Sequence, residues 1–212
     1  MAWLALTVAT ARAGAATPPS AQALVDTALA KAKPLQKTVL VDFGASWCGY
    51  CKRFDAFLQS DGVAPLIDAH FEVVHLVVDE KDEALENPGG AALKESLGGG
   101  RAGLPFYAFL DGDGRKVGDS LMPDGNNMGH PMSAAEIQRF GEVLRTAAPR
   151  LAEDERRRMT DTLSALESKR RWQARLRAPL VWLRVPGHTR LAVCAAALLG
   201  LAIWVGLRMR PR

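Results

Sequence analysis

The sequence predicts an α/β domain, a central sheet flanked by helices, continued by a charged helical stalk and a C-terminal transmembrane helix. Three observations predict it. Two valine-rich runs, at residues 38–43 and 71–78, are apolar almost without interruption, as strands buried on both faces are. Segments with helical spacing of apolar residues lie before, between and after these runs. The charge is also divided: residues 1–149 hold 13 basic and 18 acidic side chains, residues 150–212 hold 14 and 5, so a mildly acidic body precedes a strongly basic tail. At 212 residues and 48% apolar content the chain is long enough for one well-formed core with extensions.

The elements follow in order. Residues 20–32 place Leu24, Val25, Ala28 and Leu29 on one helical face behind Ser20, a natural N-cap. After the first strand a helix runs through Phe54, Phe57 and Leu58 and bends near Asp61-Gly62 into a second piece at 63–69. The second strand gives way to a charged stretch and Asn87-Pro88-Gly89-Gly90, then to a short helix at 91–97 that Gly98-Gly99-Gly100 ends. Residues 106–110 and 115–121 flank Asp111-Gly112-Asp113-Gly114, a hairpin signal. An EF-hand is not expected there, because the later loop ligands are missing. The polar loop at 123–131 is longer than strand connection requires and is either a wall of a substrate groove or an ordinary surface loop. Ser133 and Glu136 form a capping box opening a helix with Ile137, Phe140, Val143 and Leu144 on one face. Pro149 marks the expected end of the domain, placed at residues 20–148.

Residues 149–188 are charged and helical in composition, with Met159, Leu163 and Leu166 as a sparse apolar stripe, and predict a solvated basic stalk. Trp172, Trp182 and several arginines follow, a mixture suited to a membrane interface. The uncharged stretch 191–207, between Arg190 and Arg208, gives a helix of about 26 Å, short but within the range of a single span. A transmembrane helix is therefore expected at 189–208, with a basic tail at 209–212, and membrane lipid as a partner. Residues 1–16 hold a short apolar run and small-x-small patterns that resemble the later part of a signal peptide, without a basic segment ahead of it. Arginines flank the span on both sides, so the charge rule does not orient it. Cys194, inside the span, is expected to pack as a small apolar residue. The basic tail adjoins an apolar segment, which favours lipid headgroups over nucleic acid.

The chemistry sits in Trp47-Cys48-Gly49-Tyr50-Cys51, between the first strand and the helix after it. Two cysteines two residues apart at a strand-to-helix junction can close a small disulfide, and a helix N-terminus favours the first sulfur as a thiolate. Exchange needs an exposed attacking thiolate and a shielded second thiol to resolve the mixed disulfide, which assigns attack to Cys48 and resolution to Cys51. A zinc half-site would need two more ligands, and Cys194 and the four scattered histidines do not supply them at ligand spacing, so no metal is expected.

Residues 39–52, together with Gly103-Leu104-Pro105-Phe106, resemble the active-site segment and the second signature of the thioredoxin superfamily. The resemblance implies the thioredoxin fold, a central mixed sheet flanked by helices, and a cis peptide bond before Pro105. It also implies a Leu104 backbone free to pair with extended substrate, and a substrate surface that includes Trp47 and Tyr50. Asp42 falls where thioredoxins keep a buried carboxylate beneath the dithiol that relays the proton of the resolving cysteine. An aspartate inside an apolar strand independently suggests a role, since burying a carboxylate without one is costly. His75 falls near the place of a lysine that accompanies that aspartate in many thioredoxins; a satisfied core histidine is the preferred reading here. The Gly49-Tyr50 pair is similar to that of periplasmic disulfide isomerases, so a strictly thioredoxin-like potential does not follow.

These readings predict a membrane-tethered oxidoreductase that exchanges with protein disulfides through Cys48 and Cys51. It would work as a reductant fed by another dithiol protein, without cofactor, from the periplasmic side of a bacterial inner membrane. The alternatives are an isomerase or oxidase of the same fold, a non-catalytic interaction module, and a tail-anchored protein with a cytoplasmic domain.

Overall fold

In a computed structural model, residues 18–182 are described. The leader at 1–16, the span at 189–208 and Cys194 lie outside the described residues, and among those described no helix is long and apolar enough to cross a membrane.

The chain runs α1 (Ala21–Leu35), β1 (Thr38–Gly44), α2 (Gly49–Leu58), α3 (Ala64–His70), β2 (Phe71–Val77), α4 (Gly90–Ser96), β3 (Phe106–Leu110), β4 (Lys116–Asp119), α5 (Ala134–Ala147) and α6 (Glu153–Trp182), with a 3-10 turn at Glu83–Leu85. Within residues 20–148 the expected helices and strands are present with boundaries shifted by a few residues. Ser20 caps α1 through its side chain, and Ser133 with Glu136 forms the capping box of α5, each satisfying amide groups that a first helical turn leaves unpaired.

The sheet is mixed, in the order β2-β1-β3-β4. β1 pairs in parallel with β2 and antiparallel with β3, and β3 and β4 form the expected hairpin. The parallel pair needs a long crossover, which α2 and α3 provide. β1 is buried along nearly its whole length because both faces of the sheet are covered. The alternation of side chains along it sorts the two faces. Val39, Val41 and Phe43 pack with Val25, Ala28 and Ala32 of α1 and with Val74, Leu76 and Phe106. On the opposite face an aromatic cluster joins Phe54 and Phe57 of α2, Tyr107 of β3 and Phe140 of α5. Those rings seat α2 on the sheet, and with it the cysteines at its start.

The compact unit does not end at residue 148. It extends to Ser164, and the remainder of α6 falls in a second unit that starts at Ala165. Leu151, Met159 and Leu163 are buried, which makes the first turns of α6 part of the core rather than of a solvated stalk. His70 and Glu155, 3.1 Å apart, add a polar contact between α3 and α6 within this unit. Further along α6, Trp172 and Leu176 are exposed.

Candidate functional site

β1 ends at Gly44, and the following turn delivers Cys48 to the N-cap of α2. Cys48 Sγ accepts a hydrogen bond from the Cys51 backbone N–H at 3.0 Å, one of the amides left without a partner at the start of the helix. The two cysteines form a disulfide with S–S 2.07 Å. Burial does not separate them as expected: Cys48 is 3% and Cys51 5% exposed, because the closed disulfide is packed among Ala45 and Leu104. Position separates them instead. Cys48 is at the cap, whereas Cys51 sits one turn in, against Gly44, and lines a cavity of about 330 Å³ that Cys48 does not reach.

The sequence-predicted surface residues surround this point. Trp47 is half exposed, its indole N–H donating to the Asp79 carbonyl at 2.9 Å. Glu80, next to Asp79, accepts from the backbone N–H and the hydroxyl of Ser46, and these bonds hold its carboxyl below the usual range. Tyr50 is also exposed, with the Arg53 guanidinium 5.0 Å from its ring centre. The Leu104–Pro105 peptide bond is cis, as the resemblance implied, and Leu104 packs against the cysteine pair.

The polar loop at 123–131 closes on the cis-proline loop, which favours the groove reading. Asn127 Nδ2 donates to the carbonyls of Gly103 at 2.7 Å and Pro105 at 2.9 Å. Gly129, at φ 49°, approaches so closely that an added Cβ would stand 3.3 Å from the Pro105 carbonyl oxygen. Tyr50, Leu104, Pro105, Asn127 and Met132 line an open groove of about 680 Å³. Asn127 as a clamp escaped sequence reading; the only signal was an over-long loop rich in asparagine and glycine.

Asp42 is buried, 3% exposed, and stands opposite His75 in the β1–β2 register. Its Oδ2 lies 3.2 Å from His75 Nδ1, and its Oδ1 has no hydrogen-bond partner. Burial raises the Asp42 pKa above the ordinary carboxylate value; the His75 hydrogen bond opposes this, and the Asp55 charge adds to it. His75 is not a core histidine. Its side chain is 53% exposed, and its pKa is raised first by the Asp42 hydrogen bond.

Asp55 completes the group, with Oδ1 3.6 Å from His75 Nδ1. It lies four residues after Cys51, a spacing that puts both on one helix face and could have flagged it in the sequence. Asp42, Cys51, Asp55 and His75 line the same cavity. Asp42, Asp55 and His75 are also the described residues whose ligand atoms, within 4.8 Å of one another, could hold a metal ion. Their geometry is equally that of a hydrogen-bonded acid–imidazole pair with a second carboxylate at its edge. Chemically, the site presents a dithiol couple, a groove beside Tyr50 and the cis-proline loop, and titratable groups around the cavity that Cys51 lines.

A family model described as thioredoxin-like matches residues 20–112. The thiol:disulfide interchange protein DsbD of Pseudoalteromonas atlantica is 33% identical over 92 residues, 43% of this chain and 14% of that protein, so the chain spans a small part of that relative's length. Among solved structures, the chain is similar to a disulphide isomerase from Xylella fastidiosa, with 22% identity, TM-score 0.43, and coverage of 76% of this chain and 98% of that one. It is also similar to the oxidised C-terminal domain of DsbD from Neisseria meningitidis, with 23% identity, TM-score 0.36, and coverage of 49% and 84%. The matched segment carries Asp42, both cysteines and Pro105, so residues 20–112 are similar to the thioredoxin-like family over the whole of the dithiol site.

Proposed function

We propose that the chain is a membrane-tethered thiol–disulfide oxidoreductase that reduces protein disulfides through Cys48 and Cys51. One observation carries the reading: Cys48 Sγ caps α2 and accepts the Cys51 N–H at 3.0 Å, so the reduced form has a ready donor for a thiolate at that position. The Cys48 thiolate attacks a substrate disulfide, forming one S–S bond and releasing the first substrate thiolate. Cys51 then attacks Cys48 Sγ, the enzyme disulfide closes, and the second substrate thiolate leaves. Two electrons pass from the dithiol to the substrate, and another dithiol protein restores the reduced couple.

The groove at Tyr50, Leu104 and Asn127 suits an extended polypeptide near its disulfide, with Trp47 and Tyr50 as exposed apolar contacts. Asp42, buried beside the cavity that Cys51 lines, acts as proton acceptor for the resolving thiol. The tether is the uncharged stretch 191–207, and the leader-like start supports a periplasmic placement of the domain at the inner membrane.

The test is alkylation trapping of Cys48 and Cys51 in intact cells, paired with protease accessibility of the domain in spheroplasts. A reduced couple on an accessible domain is expected. An oxidised accessible couple would make the protein a disulfide donor, and a protected domain would make it a tail-anchored cytoplasmic protein. Replacing both cysteines by serine separates the enzyme from a binding module, because turnover vanishes in the first and binding survives in the second.

A further inference from the structure

We propose that His75 is the solvent-side station for the proton of Cys51, receiving it through Asp42 and releasing it to water at the edge shared with Asp55. The inference rests on the dithiol exchange proposed above and assigns a route to its second step.

The geometry is a graded path. Cys51, Asp42 and His75 line one cavity; Cys51 and Asp42 are buried, Asp42 Oδ1 has no hydrogen-bond partner, and His75 is more than half exposed. His75 Nδ1 faces two carboxylates, Asp42 Oδ2 at 3.2 Å and Asp55 Oδ1 at 3.6 Å. A buried carboxylate that accepts a proton in every cycle must return it to water before the next one. Asp42 is only 3% exposed and so has almost no surface of its own for that transfer, whereas its Oδ2 is hydrogen-bonded to His75.

In the resolving step the Cys51 thiol gives its proton to the Asp42 carboxylate. The Cys51 sulfur attacks Cys48 Sγ, the Cys48–Cys51 bond forms, and the bond from Cys48 to substrate sulfur breaks with the electron pair leaving on the substrate thiolate. Asp42 passes the proton to neutral His75, and imidazolium loses it to solvent. No oxidant or cofactor beyond the substrate disulfide is required.

An imidazole performs this transfer near neutral pH, where a lysine would stay charged. The route is open when His75 is neutral and closed when it is protonated, so resolution accelerates as pH rises through its pKa. That pKa is raised above 6.5, first by the Asp42 hydrogen bond and further by the Asp55 charge, with burial acting against both. Lys52 of α2 lines the same cavity, and Asp68 of α3 lines the adjoining hollow with His75, so these two charges also bear on the midpoint.

The experiment is stopped-flow mixing of the reduced, full-length Cys194→Ser protein with excess 5,5′-dithiobis(2-nitrobenzoate). The first coloured thiolate reports attack by Cys48, and the second reports displacement by Cys51. The second phase is expected to show an inflection above pH 6.5. In His75→Gln that inflection disappears and the phase at neutral pH slows about tenfold, within the range of a lost proton-transfer group. In Asp55→Asn it persists with a lower midpoint, a displacement that a purely structural role would not produce. A second phase with the same inflection in His75→Gln, or an unmoved midpoint in Asp55→Asn, overturns the relay. A wild-type protein without any second phase would instead sink the dithiol exchange on which the relay rests.

Discussion

Phe54 lies flat on Tyr107, with ring centroids 4.6 Å apart and planes within 5° of parallel. The stack ties α2 to β3 three residues beyond Cys51, and both rings are fully buried. It therefore sets how the cysteine-bearing helix rests on the sheet. Phe54→Ala is expected to cost about 3–5 kcal/mol, the usual range for a buried aromatic truncated to alanine. Urea denaturation checks it, and a loss below about 1 kcal/mol would show that the ring can be replaced by local collapse.

Cys51→Ser should retain attack by Cys48 and lose resolution. Mixed disulfides with substrate proteins then accumulate and appear on non-reducing gels as reducible adducts. Cys48→Ser should give none, because the attacking sulfur is gone. Equal trapping by both variants would mean that the roles are not divided as the cap position implies.

The raised pKa of Asp42 has a stability consequence with a definite sign. The folded state binds this proton more tightly than the unfolded chain, so its stabilising contribution is present below 3.8 and is lost as pH rises through the elevated folded value. At neutral pH a buried carboxylate works against folding. Asp42→Asn, neutral and of the same shape, is expected to raise the melting temperature at pH 7 to 8. The advantage should shrink toward zero on acidification below the folded pKa. The same change should slow turnover by about 10- to 100-fold through loss of the proton acceptor. A variant less stable than the parent across the whole range would overturn the sign.

Asn127→Ala removes both hydrogen bonds to the carbonyls of Gly103 and Pro105. Carbonyls that lose a partner cost roughly 1–3 kcal/mol where water cannot replace it. The expected signature is a higher KM for peptide disulfides with little change in the second phase of dithiobis(nitrobenzoate) reduction. A resolution rate that falls as much as peptide reduction would place Asn127 elsewhere in the cycle.

Leu163→Ala should destabilise by about 2–5 kcal/mol and Leu176→Ala by less than about 0.5, although both lie on the same helix. Leu163 is completely buried and Leu176 is 52% exposed. Truncation after residue 148 would remove Leu151, Met159 and Leu163 from the core and is expected to give a poorly folded product by circular dichroism.

The parts legible in the sequence were those whose signal is local. Trp47 to Cys51, Pro105, the Ser20 cap and the Ser133 capping box each declare themselves within a few residues, and so did the two valine-rich strands. What required the fold was pairing across distance. His75 meets Asp42 only because β1 and β2 run in parallel register, and its exposure depends on the sheet edge there being only partly covered. Asp55 carries no local signal beyond its four-residue spacing from Cys51, and its approach to His75 depends on how α2 and β2 are placed. The domain end was misplaced because Pro149 is a strong local stop, whereas Met159 and Leu163 are two apolar residues in a charged stretch, and a face that narrow looks like a solvated helix until its neighbours are known.

The closed disulfide also sets the company the protein keeps. Both cysteines are nearly covered, with Leu104 packed against them and the neighbouring Trp47 and Tyr50 exposed. A small soluble thiol binds almost nothing on that surface, whereas a polypeptide bearing its own thiol can lie in the groove and hold its sulfur in place. Under the proposed function the couple exchanges slowly with small soluble thiols, and its redox state follows that of protein partners rather than the surrounding solution.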